Sequence, residues 1–248
     1  MENASYIALS QQVSLRERLA VAAQNVANLN TPGYKAQRTL FTEYLVEPTG
    51  RASRYGTNPA VSMVIDQAVL RDTRAGPVEQ TGNSLDVALV GDGYLSVETP
   101  AGPRYTRNGR LSIDIDRRLV DSNGLPVLDR NDQAIMIPED AGEITILGDG
   151  TITTNQGQAG QLKIVTFDRE SELVPLGGNL LTTNQVPREA TETRVAQGMI
   201  ERSNIQGAVE MTQLIELSRA YDRTQDLIKT EHDRQRDAIR RLGRLSEG

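Results

Sequence analysis

The sequence has no cysteine, no tryptophan, one histidine (His232) and two phenylalanines among its 248 residues. Without cysteine there are no disulfides, thiolate metal sites, iron–sulfur clusters or cysteine nucleophiles. A single histidine argues against a His-rich zinc site and against a Ser-His-Asp triad. Aromatic residues make up 4% of the chain, little material for an aromatic-lined ligand pocket or a base-stacking platform. Basic residues are outnumbered 27 to 33, giving a net charge of −6 and no general attraction to nucleic acid or anionic lipid. No apolar run approaches the roughly 20 residues of a bilayer-spanning helix. Met1-Glu2-Asn3-Ala4-Ser5 lacks a basic start, and Arg16, Glu17 and Arg18 arrive before any apolar stretch, so the pattern predicts no cleaved secretory leader. Cofactors, metals, nucleic acid and direct membrane insertion are therefore not expected.

What is present divides into three parts. Residues 3–29 carry a helical pattern with two adjacent stripes. One stripe runs through Leu15, Leu19, Ala22, Val26 and Leu29, the other through Leu9, Val13, Ala20, Ala23 and Ala27. Two narrow stripes describe a helix with neighbours on more than one side; an amphipathic helix lying on its own core is the alternative. Asn30-Thr31-Pro32-Gly33 ends the pattern with residues suited to a sharp turn. Residues 205–242 hold the clearest periodicity, a four-three alternation through Met211, Leu214, Ser218, Tyr221, Gln225, Ile228, His232, Gln235, Ile239 and Leu242. Such a helix is on the order of 55 Å long and turns arginine-rich at its end. It outruns one small domain, so part of it needs partners outside its own chain, a solvated coiled-coil tail being the alternative.

Between the helices, residues 85–167 alternate apolar and polar, with turn signals at Gly91-Asp92-Gly93, Asn108-Gly109, Asn123-Gly124, Gly148-Asp149-Gly150 and Asn155-Gln156-Gly157. This is the pattern of an antiparallel β domain, and the two Asn-Gly pairs predict type I′ hairpins. Residues 36–75 and 175–200 read as extended or poorly ordered connections. The expected fold class is α+β. A helical domain is built from residues 1–35 and 200–248, an extended linker from 36–75, and a central β domain from 76–199. Two end helices with stripes to bury are the mark of a self-assembling subunit.

Candidate chemistry is thin. Asp114 and Asp116 are spaced to share one face of a strand, where a solvated pair is the ordinary outcome and glycoside hydrolysis needs carboxyls facing each other across a substrate. Asp129-Arg130-Asn131-Asp132 lacks the glycine and terminal glutamate of a calcium loop. His232 lies on the C-terminal stripe, where a buried or interfacial histidine is expected. No enzyme is indicated.

Three ordered motifs carry a resemblance. Asn25-Val-Ala-Asn28-Leu-Asn-Thr31-Pro32-Gly33-Tyr34-Lys35 is similar to the segment that ends the N-terminal helix of bacterial flagellar rod and hook proteins. Thr81 to Ala88, Gly91-Asp92-Gly93-Tyr94 and Tyr105-Thr106-Arg107-Asn108-Gly109 resemble the middle of those proteins. Gly198-Met-Ile-Glu201-Arg-Ser203-Asn204-Ile205, followed by Glu210-Met211, resembles their C-terminal segment. Length, the opening residues and the lack of a large insertion resemble the proximal rod class most, with the distal rod class built on the same plan. The resemblance implies a structural axial subunit of the basal body, exported through the flagellar type III apparatus to the periplasmic rod without a cleaved leader. It further implies terminal helices paired as a coiled-coil-like inner tube with the β domain outside, transmitting torque from motor to hook. Partners would be copies of itself and other rod proteins. Expected assembly contacts are Leu15, Leu19, Ala22, Val26, Met211, Leu214, Tyr221 and Ile228. The motif residues are Asn28, Thr31, Pro32, Gly33, Tyr34, Glu201, Asn204 and Glu210. Outside this family, a cytoplasmic coiled-coil adaptor and a β-domain hydrolase stay open on residues alone.

Overall fold

The computed structural model describes residues 2–46 and 61–245. Met1, residues 47–60 of the expected linker and residues 246–248 of the expected helical domain lie outside them. The chain forms two units: a helical one of Met1–Ala27, Gln37–Leu70 and Gln206–Gly248, and a β-rich one of Asn28–Ala36 and Arg71–Ile205.

In the helical unit, α1 spans Glu2–Ala27 and α2 spans Gly207–Leu245. Neither proline nor glycine interrupts α1, and α2 has glycine only at its first position and at Gly243, so nothing breaks either backbone ladder. Leu15, Ala22 and Leu217 form a buried cluster with Leu19, Leu214, Ala220 and Tyr221 packed against it. The α1 stripe is therefore the expected one, with Val26 half-buried at its end. The α2 stripe is rotated. Its inward residues are Glu210, Leu214, Leu217, Tyr221, Thr224, Ile228, Glu231 and Gln235, whereas Met211, Ser218, Gln225 and His232 are exposed. The two ladders share every second rung; hydropathy favours Met211 as the starting rung, but Glu210 is the residue held inside, by a hydrogen bond from Asn25. His232 is thus not buried within the chain.

The segment 36–75 is not a plain linker. Residues Gln37–Val46 form β1 and Val61–Arg71 form β2, paired in a two-stranded sheet, with β1 against α1. Threonine and aromatic residues in β1, and valine, isoleucine and leucine in β2, give the two stretches strand character that the Gly, Pro and Asn between them obscure in the sequence. Residues 28–36 belong to the β unit, not to the helices.

The β unit is antiparallel, as expected. Its largest sheet runs, in spatial order, Val174–Pro175, Leu181–Thr182, Arg104–Thr106, Tyr94–Val97, Ile164–Thr166 and Arg188–Glu189. Leu95, Val97, Leu119, Val127, Ile152 and Leu162 lie at the centre of the core. A smaller aromatic cluster sets the Tyr105 ring edge-on to Phe167, centroids 4.7 Å apart. The stretch 175–200, expected as connection, instead closes the unit: Arg194–Gln197 pairs with Val87–Val90, and Met199–Glu201 with Val78–Gln80. Strands of two to four residues are too short to show alternation.

Asn123-Gly124 does turn a hairpin, between Val120 and Pro126, but only Gly124 has positive φ, and the Asp121 carboxylate holds the loop through the Asn123 and Leu125 amides. Asn108-Gly109 makes no hairpin. Gly109 sits against the Val87 backbone, where an added Cβ would lie 1.7 Å from the Val87 carbonyl oxygen, so the glycine serves close packing.

Candidate functional site: a buried junction of the three motifs

The first motif enters the β unit through a turn. Thr31 donates its backbone N–H to the Asn28 carbonyl and its hydroxyl to Asn28 Oδ1 at 3.1 Å, and the Pro32 carbonyl accepts from Asn179 Nδ2 at 2.8 Å. Gly33 follows at φ 68°, its N–H donating to the Glu201 carbonyl at 2.7 Å; a Cβ there would come within 2.4 Å of the Arg107 carbonyl oxygen. Only glycine fits that backbone approach.

The turn delivers Lys35 to the interior. Its Nζ donates to Glu201 Oε1 at 2.6 Å and to the Arg74 carbonyl at 2.8 Å. Arg107, from the middle motif, donates Nε to Glu201 Oε2 at 2.5 Å, and its Nη atoms donate to the Gly93 and Gly91 carbonyls at 2.9 and 2.7 Å. The Gly76 N–H adds a further bond to Glu201 Oε1 at 2.7 Å. Lys35, Arg107 and Glu201 are 4%, 7% and 2% exposed. Asn204 braces the same region, its Oδ1 accepting from the Ala36 N–H and its Nδ2 donating to the Asp72 and Arg74 carbonyls.

Burial alone would push the Glu201 carboxyl up, but the Arg107 charge and the bonds from Lys35, Arg107 and Gly76 hold it below the ordinary glutamate value. For Lys35, burial outweighs the attraction of Glu201 and draws the amine below the ordinary lysine range. Burial likewise pushes the Tyr94 phenol up, with the Arg71 and Arg107 guanidinium groups 5.8 and 5.9 Å from its ring centre. A carboxylate bonded from three directions serves as a lock among three chain segments rather than as an acid or a base.

A second polar clamp lies in the helical unit. Asn25, fully buried, accepts from the Gln37 N–H and donates to the Gln37 carbonyl, both at 2.9 Å, as a neighbouring strand would. Its Nδ2 also donates to Glu210 Oε2 at 3.3 Å, in the first turn of α2, where a carboxylate suits the helix dipole. One asparagine thus fixes α1, β1 and α2 together.

The other candidates are local. Asp114 and Asp116 lie in and beside a turn and both pair with Arg118, at 2.8 and 3.0 Å. Asp129 closes its loop through the Asn131 and Gln133 amides, and among the described residues no cluster of His, Asp or Glu is arranged to hold a metal. No helix among them is long and apolar enough to cross a membrane. Asn25, Lys35 and Arg107 lie inside the motifs, but no local pattern assigns Asn25 to its clamp or Lys35 and Arg107 to the junction. Their signal was a cation or amide set among residues that otherwise bury.

Three family models match the chain: "Flagella basal body rod protein" over residues 6–35, "Flagellar hook protein FlgE/F/G D1 domain" over 88–154, and "Flagellar basal body rod FlgEFG protein C-terminal" over 196–241. The flagellar basal-body rod protein FlgF of Caulobacter vibrioides is 35% identical over 99% of this chain and 100% of its own length. FlgF of Mesorhizobium japonicum is 32% identical over 99% of this chain and 100% of its own, and FlgG of Agrobacterium fabrum is 33% identical over 90% and 93%. The chain belongs to the flagellar basal-body rod protein family. As a rod protein it is a structural component of the flagellar basal body and not an enzyme. Each matched stretch contributes one member of the buried junction: Lys35 from the first, Arg107 from the second and Glu201 from the third.

Proposed function

We propose that this rod protein is an axial subunit at the proximal position, polymerising helically with copies of itself and with other rod proteins to carry torque from motor to hook. The carrying observation is the second α1 stripe. Leu9 and Val13 are 53% and 54% exposed, Ala20, Ala23 and Ala27 are exposed behind them, and Met211 and Ile215 are about half exposed on α2. Apolar groups at helical spacing, on a pair that already buries another stripe, gain about 1 kcal/mol for each half-exposed large side chain that a neighbour covers, roughly half the value for burying a fully exposed one. Leu15, Leu19, Ala22, Val26, Leu214, Tyr221 and Ile228 then hold α1 on α2, and Met211 meets the neighbour. A head-to-tail contact of this kind, where its rotation does not close into a ring, builds an open helical tube from the coiled-coil-like helix pairs. Full-length similarity to FlgF proteins, against 90% coverage for FlgG, supports the proximal position over the distal one. Delivery through the flagellar type III apparatus, without a cleaved leader, to the periplasmic rod completes the proposal.

The test is a Val13→Asp chain and a Met211→Asp chain, each produced in place of the unaltered protein. Both should show unchanged helix content and melting yet be missing from purified basal bodies. Incorporation at the unaltered level would refute the assignment.

A further inference from the structure

The sequence holds two Asn-Gly pairs, and the β unit places them in opposite surroundings. In such a pair the glycine nitrogen can attack the asparagine side-chain carbonyl carbon with no Cβ in its path, which makes that asparagine thermolabile. Attack requires the peptide to rotate and the side chain to leave its hydrogen bonds. Asn108 is 4% exposed, its Nδ2 donates to Ser122 Oγ at 2.8 Å, and its Oδ1 accepts from the Arg110 N–H at 3.1 Å. The Gly109 carbonyl accepts from the Val87 N–H at 2.9 Å, so this pair cannot turn without opening the unit.

Asn123 and Gly124 are exposed in their hairpin turn, and nothing lies within 4 Å of the place a Gly124 Cβ would take. The Gly124 N–H donates to the Asp121 carbonyl at 3.0 Å, and Asn123 Nδ2 donates to Asp121 Oδ2 at 2.9 Å and to the Gly178 carbonyl at 2.8 Å. These bonds slow the reaction, but a turn at the surface opens far more often than a strand in the core. The bond to Gly178 also reaches beyond the turn. The neighbouring Asn179 donates Nδ2 to the Pro32 carbonyl, and its own carbonyl accepts from Thr106 Oγ1 at 3.1 Å. Residues 177–179 thus link the Asn123 turn to the turn that delivers Lys35.

We infer that Asn123 is a self-modification site whose product releases residues 177–179 from the hairpin. The Gly124 nitrogen bonds to Asn123 Cγ, the Cγ–Nδ2 bond breaks, and the amide leaves as ammonia with the proton from the Gly124 N–H. Water then adds to either carbonyl of the cyclic imide and breaks one of its C–N bonds, giving aspartate or isoaspartate. Either product carries a new carboxylate with no proton to donate. Aspartate sets that charge beside the Asp121 carboxylate, itself 2% exposed, and turns an acceptor towards the Gly178 carbonyl. Isoaspartate adds a methylene to the main chain between Val120 and Pro126, which pair across the turn. The inference concerns the single chain and stands apart from the assembly proposed above.

The experiment incubates the purified full-length chain, folded and in urea, in warm, mildly alkaline buffer until the unfolded sample has converted at both pairs. Arg110, Arg117 and Arg118 lie between the pairs, so separate tryptic peptides report each one by mass spectrometry. The folded chain should convert Asn123 at least about ten-fold faster than Asn108. Equal conversion at the two positions, or none at Asn123, overturns the site. Asn123→Asp, produced directly, should raise amide hydrogen exchange over residues 176–181 about three-fold or more above the unaltered chain. Asn123→Ala, which loses the same donors without adding charge, should raise it less. Exchange in Asn123→Asp no faster than in Asn123→Ala overturns the release of residues 177–179 by the product.

Discussion

Replacing Glu201 with glutamine removes the anion that both Lys35 and Arg107 contact while keeping the size and two hydrogen-bonding atoms of the side chain. The two cations then stay buried, with bonds to backbone carbonyls but without the carboxylate that both contact. Breaking a buried pair from one side costs about 3–5 kcal/mol. For a chain of this size that corresponds to a melting temperature lower by about 6–20 °C. Urea unfolding followed by tyrosine fluorescence suits the measurement, because tryptophan is absent and Tyr94 and Tyr105 lie in the β unit. The midpoint should fall with little change in slope. Lys35→Met, which leaves the Arg107–Glu201 pair intact, should cost less, and the double substitution should cost less than the sum of the two. The pH dependence carries a sign. The Glu201 carboxyl is depressed in the folded chain, so its contribution is present above the unfolded value of about 4.3 and is lost as pH falls through the folded value. The gap between wild type and Glu201→Gln should therefore narrow in acid. Lys35, already below its ordinary value, falls further once its carboxylate is gone, so the variant should regain stability as pH rises through the lowered folded value towards the unfolded value of about 10.4. A cost below about 1 kcal/mol, or a gap independent of pH, would refute the claim that this cluster locks the three motifs together.

Two further substitutions probe the packing. Leu217→Ala empties the centre of the α1–α2 contact and should cost about 2–5 kcal/mol, read as loss of helical ellipticity at lower denaturant; a cost near zero would mean the helices are not held by that cluster. Gly33→Ala places a methyl group against the Arg107 carbonyl at a positive φ and should destabilise the β unit by at least about 1–3 kcal/mol in the same urea assay, whereas a neutral result would contradict the close approach.

The sequence is most legible where periodicity is long. Both terminal helices and the antiparallel character of residues 85–167 follow from spacing alone, and the α1 stripe falls where it was expected. The α2 stripe is off by one residue at alternate rungs because hydropathy favours Met211, while a single amide, Asn25, selects Glu210. No local pattern expresses a hydrogen bond spanning 185 positions. Asn108-Gly109 shows the same limit, since its glycine answers to Val87 and not to a turn. The short strands after residue 174 are defined by partners far earlier in the chain. The motifs mark Glu201 and Asn204, but the convergence of Lys35 and Arg107 on Glu201 exists only after folding brings three distant stretches together.

Cryo-electron microscopy of intact basal bodies purified with this chain in place is the most direct measurement of how its helices are covered. Density for the chain in the proximal part of the rod, with Leu9 and Val13 packed against the helices of neighbouring subunits, is the predicted result. A rod in which those side chains face water, or from which the chain is missing, would contradict the account.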